Sequence, residues 1–144
     1  YLEDYGLQLS RGFRALKAWM SFKEHGIAKY GRLIQQNIDQ AHYLEELINS
    51  ATELELMAPV NLNVVCFRYV NPNLDNEALD QINKQIVVEL QEEGKAIPSR
   101  TLIGGREIIH IAITNHRTLR EDFNILVREV IRLGQSLSKS ALET

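Results

Sequence analysis

From Phe13 onward, apolar residues recur at steps of three and four, which predicts a first helix capped by Ser10 and stopped at Gly26. Phe13, Leu16, Met20 and Lys23 trace one stripe of it, with Ala15, Trp19 and Phe22 alongside, so apolar surface wraps more of this helix than a single contact face requires. Residues Tyr1 to Leu9 show no sustained period and are expected to run extended. A second helix is predicted from Ile27 to Asn49, with Ile34, Ile38, Ala41, Leu44 and Ile48 as its buried stripe. Then the period shortens. Leu54 and Leu56 alternate with Glu53 and Glu55, and the run Leu62 to Tyr69 is rich in β-branched and aromatic residues, so both read as strands.

Asn71 to Asp75 is a turn cluster, because proline fixes φ while Asn and Asp bond back onto nearby amides. Leu79, Ile82, Ile86 and Leu90 then mark a third helix ended by Gly94. Strands at Ala96 to Leu102 and Glu107 to Thr114 flank Gly104-Gly105, a pair that accepts positive φ freely and predicts an antiparallel hairpin. Thr118 and Glu121 have capping-box spacing ahead of Phe123, Leu126, Val127, Val130 and Leu133, so a last helix is expected to stop near Gly134 with a frayed tail. The order helix, helix, strand, strand, helix, strand, strand, helix predicts one α+β domain over 1–144, a small, mainly antiparallel sheet with helices packed on one face.

Composition adds exclusions. The 144 residues are 44% hydrophobic and 24% charged, enough for one core, and a net charge of -3 spread along the chain creates no field that would gather nucleic acid or an acidic membrane. No apolar run approaches the roughly 20 residues needed to span a bilayer, so a cytoplasmic protein is expected. Cys66, the single cysteine, lies between Val65 and Phe67 and reads as a small hydrophobe. The chain opens on Tyr1 rather than Met, which suggests a piece of something longer.

The chain's own chemistry is sparse. No G-x-S-x-G elbow, phosphate-binding glycine loop or metal-ligand spacing occurs, and His25, His42, His110 and His116 lack partners at ligand distance in sequence, so no metal is expected. In Ile108 to Ile113, strand alternation puts Ile109, Ile111 and Ile113 toward the core and Ile108, His110 and Ala112 on the other face. Arg11 and Arg14 stand at a helix start, where a cation opposes the dipole, a placement that suits an external carboxylate as well as an exposed pair of arginines.

The run Leu9-Ser-Arg-Gly-Phe-Arg-Ala-Leu-Lys-Ala-Trp19, followed by His25-Gly26, Tyr43-Leu44-Glu-Glu-Leu47, Asn63-Val-Val-Cys-Phe-Arg-Tyr69, Ile111-Ala-Ile-Thr-Asn115 and Leu126 to Gly134, resembles the C-terminal domain of the pyridoxal-phosphate-dependent amino-acid decarboxylases of the aromatic-amino-acid, histidine and glutamate group. The resemblance implies the small domain of a fold-type-I enzyme that packs on a large cofactor domain, forms a homodimer and acts on an amino acid. It also implies that pyridoxal phosphate is held by a lysine, usually preceded by histidine, on that large domain. None of Lys17, Lys23, Lys29, Lys84, Lys95 and Lys139 follows a histidine, so no catalytic or cofactor-binding residue is expected here and the chain alone should bind no cofactor and be inert.

The resemblance also implies a substrate-binding role for Ser10, Arg11 and His110. Ser10 stands where such enzymes carry Gly or Ser at the pocket, and its hydroxyl should favour a smaller or more polar amino acid by about 1–3 kcal/mol. His110 stands where many members carry arginine, and a histidine is shorter and can be neutral at pH 7. The alternative is a stand-alone, non-catalytic α+β interaction or regulatory module, in which self-association would cover the first helix.

Overall fold

The structure, a computed structural model, describes residues 12–143. Eight elements follow in order: α1 (Arg14–His25), α2 (Ile27–Ser50), β1 (Leu54–Leu56), β2 (Val64–Tyr69), α3 (Asn76–Glu92), β3 (Ser99–Ile103), β4 (Arg106–Ala112) and α4 (Arg120–Leu142). This is the expected α+β sequence of elements, and the strands form one antiparallel sheet in the order β1-β2-β4-β3. Two compact units divide the chain between Ile34 and Gln35.

In the first unit, α1 stops at Gly26, whose positive φ of 74° is easy only for a residue without a Cβ. The Phe22 ring meets Tyr30 edge-on, with centroids 5.1 Å apart. The helix starts later than expected: Phe13 is its N-cap, without a side-chain cap bond. Ser10, the cap predicted from sequence, lies outside the described residues. No residue of α1 is buried, and Trp19 and Met20 are 58% and 57% exposed. Ile34 is likewise exposed, so the stripe predicted for α2 is fully covered only from Gln40 on, through Ala41, Leu44 and Ile48.

The core of the second unit joins those α2 residues to Val65, Phe67 and Tyr69 of β2, Ile109 of β4, Leu79 to Leu90 of α3 and Phe123 to Leu133 of α4. Asp75 begins α3 by accepting the Ala78 N–H at 2.9 Å. Two α3 side chains replace sheet partners. Asp80 Oδ1 accepts the Glu107 N–H at 3.0 Å, and Asn83, 1% exposed, accepts the Tyr69 N–H at 2.8 Å while donating to the Tyr69 carbonyl at 3.0 Å. A buried strand end is thereby kept paired where β2 and β4 no longer bond each other.

Two expectations need correction. Helix α4 does not stop at Gly134 but continues to Leu142, because the Tyr69 ring lies against Gly134 and the Ser138 hydroxyl one turn on donates to the Tyr69 oxygen at 3.2 Å. The helix start is shifted by one residue: Leu119 is the N-cap, and Asp122 rather than Glu121 reaches back to its N–H at 2.8 Å. Thr118 instead presents its carbonyl to Gln40 of α2. Ile108 is only 1% exposed although it faces away from the core cluster, while Ile111 is only partly buried. Strand alternation fixes the side a residue faces, not how much its neighbours cover it.

Candidate functional site

The Gly104-Gly105 turn sets everything around His110. Both glycines have positive φ, 58° and 77°, and from this two-residue turn the strands pair outward from Ile103↔Arg106 to Ser99↔His110. On its other side β4 pairs His110 with Cys66 of β2. His110 is partly buried, with Ser99 Oγ 2.8 Å from its Nδ1. The same hydroxyl lies 3.3 Å from the His110 carbonyl. A carbonyl only accepts, so both contacts are satisfied together when Ser99 donates to it and Nδ1–H donates to Ser99. Burial pushes the Cys66 thiol up from its ordinary value, which keeps it protonated and unreactive at neutral pH.

Beside this pair, where β3 begins, a cavity of about 360 Å³ opens between the 95–99 segment, the end of β4 and the first turns of α4. Ile111, Phe123 and Leu126 give it an apolar wall, while Lys95, Thr118 and Asp122 supply polar groups. Of the three residues the sequence picks out for substrate binding, His110 alone lies within the described residues; Ser10 and Arg11 lie outside them. Ser99 was not singled out from the sequence, yet counting outward from Gly104-Gly105 would have paired it with His110.

Pyridoxal phosphate needs an amine held in a walled site and donors for its phosphate. The lysines do not meet the first need: Lys17, Lys23, Lys29, Lys95 and Lys139 are exposed, and Lys84 lies 3.6 Å from the Glu107 carboxylate. The helix start beside the cavity carries Glu121 and Asp122, whose charges oppose a phosphate there. Among the described residues, therefore, none offers the cofactor a fitting site. Among the described residues no three His, Cys, Asp or Glu side chains converge on a common point that could hold a metal, and no helix is long and apolar enough to cross a membrane.

The family model described as "Pyridoxal-dependent decarboxylase conserved domain" matches residues 2–70. The aromatic-L-amino-acid decarboxylase of Bacillus atrophaeus is 33% identical over 138 residues, 95% of this chain and 29% of its own length. Tyrosine decarboxylase 3 of Petroselinum crispum is 31% identical over 116 residues, covering 77% of this chain and 22% of that protein. In three dimensions the Oryza sativa TDC solved with PLP and tryptamine superposes with a TM-score of 0.83 at 25% identity, over 94% of this chain and 29% of its own. Mouse CSAD in its apo form, at 24% identity, shares the fold with a TM-score of 0.82, over 92% of this chain and 30% of its own. The chain thus spans less than a third of the length of these relatives. Similarity in sequence over nearly its whole length, with the same fold, means that the chain belongs to the pyridoxal-dependent decarboxylase family.

Proposed function

We propose that this chain is the C-terminal domain of a pyridoxal-phosphate-dependent amino-acid decarboxylase, one that completes the substrate pocket and the dimer but is inert alone. The observation that carries this reading is the mismatch of extents: 95% of the chain matches only 29% of a decarboxylase, and no lysine in it suits the cofactor. In the large domain, pyridoxal phosphate supplies an electron sink for the pair left when the α-carboxylate departs as carbon dioxide. This chain's residues bind and orient. Ser10 and Arg11 edge the pocket, His110 faces the substrate from the sheet, and α1, with its exposed Phe13, Trp19 and Met20, packs on the large domain. A cytoplasmic homodimer acting on an amino acid completes the proposal.

The test is amino-acid decarboxylation by the full-length protein that contains this chain. Stoichiometric release of carbon dioxide and amine in the presence of pyridoxal phosphate supports the reading. A folded, cofactor-loaded full-length protein that decarboxylates none of the protein amino acids contradicts it.

A further inference from the structure

We infer that Ser99 is a positioning residue for His110: it holds the imidazole as the Nδ1–H tautomer and presents Nε2 to the substrate as a hydrogen-bond acceptor. The inference rests on the proposed placement of His110 at the substrate pocket. The geometry behind it is specific. Ser99 and His110 are register partners across the β3–β4 ladder, so the backbone fixes the distance between their side chains. The hydroxyl stands 2.8 Å from Nδ1 and 3.3 Å from the His110 carbonyl. A donor to the carbonyl must at the same time be an acceptor for Nδ1–H, so one tautomer satisfies both contacts and the other satisfies one. Nε2 has no protein partner among the described residues, which leaves its lone pair for a ligand.

An acceptor selects donors. Neutral His110 takes a hydrogen bond from a hydroxyl, amine or ring N–H of the substrate, whereas an arginine at the same place could only donate. Protonation inverts this preference, because both ring nitrogens then carry hydrogens and Nε2 becomes a donor to a carboxylate. Cys66 is the register partner of His110 on β2, and Lys95 and Asp122 line the same cavity. The thiol is held protonated by burial, and Lys95 and Asp122 bring opposite charges.

The experiment uses the full-length enzyme with 15N-labelled histidine and the variants Ser99→Ala, Ser99→Thr and His110→Ala. The imidazole nitrogen shifts are expected to show Nδ1–H at His110 in the wild type and in Ser99→Thr, and a change toward Nε2–H in Ser99→Ala. In kinetics Ser99→Ala should raise KM several-fold with kcat little changed where His110 is neutral, and the difference should vanish at a pH low enough to protonate His110 in both proteins. Ser99→Thr should restore the wild-type KM. A purely structural loss would persist at every pH. Nε2–H in the wild type, or a Ser99→Ala effect that is absent or independent of pH, overturns the inference. If His110→Ala leaves kcat/KM unchanged, the placement of His110 at the substrate fails instead.

Discussion

The ring of Tyr69 occupies the space that a Cβ on Gly134 would need. With Ser138 one turn on meeting the Tyr69 oxygen, α4 offers a slot fitted to a single side chain at the end of β2. On an ordinary helix, Gly→Ala stabilises by about 1 kcal/mol. Here Gly134→Ala is expected to destabilise by about 1–3 kcal/mol, because the ring must move inside a packed core. Urea unfolding of the two proteins decides the sign, and a stabilised variant would show that the ring is free to shift.

Asn83 gives a second prediction. Its side chain closes both backbone groups of Tyr69 and also donates to the Leu79 carbonyl at 2.8 Å. Asn83→Ala leaves a buried N–H and C=O unpaired, at a cost on the order of 2–4 kcal/mol. Hydrogen exchange should show the Tyr69 amide losing protection beyond the global loss of stability. Asn83→Asp keeps an acceptor but loses the donors and buries a charge, so it should be no better than Ala.

Gly134 also shows where the sequence misleads. A glycine after an apolar helical run is a local stop signal, and only the long-range contact with Tyr69 explains why it sits inside a helix. The cap of α4 was ambiguous in the same way. Thr118 with Glu121 satisfies the spacing rule, but Thr118 is engaged by Gln40 of α2, 78 positions away, and the helix begins one residue later. By contrast the hairpin was legible because Gly104-Gly105 acts locally, and with it came the face on which His110 lies. Ser10 and Arg11 drew attention through resemblance to a family, since substrate contacts leave no periodic trace along one chain.

A pH dependence follows from the cluster on α4. A hydrogen bond from Arg132 Nε at 2.7 Å holds the Glu129 carboxyl below its usual range, against a smaller opposing effect of burial; the charge of Arg132 and a bond from Arg128 help. Because the folded value is lowered, this contribution to stability is present above the ordinary glutamate range and is lost as pH falls through the folded value. Glu129→Gln should therefore lower stability near pH 7, where the contribution is present, and flatten the acid side of the profile so that the two proteins converge at low pH. An unchanged acid slope in denaturation series at several pH values would remove Glu129 from the account.

For the substrate pocket, Ser10→Gly in the full-length enzyme should shift kcat/KM toward bulkier amino acids by up to about tenfold to a hundredfold, without abolishing turnover. Competition between a small and an aromatic amino acid measures the shift directly. Identical ratios in the two proteins would take Ser10 out of the pocket.

The central claim is that this chain serves a decarboxylase without holding its cofactor. The most direct measurement is the mass of purified 1–144 after incubation with pyridoxal phosphate near its stoichiometric concentration and reduction with borohydride. The account predicts no stoichiometric adduct: without a walled site the exposed lysines form only weak, reversible imines with the aldehyde, so reduction leaves at most substoichiometric label spread over several lysines. One cofactor fixed per chain at a single lysine would contradict it.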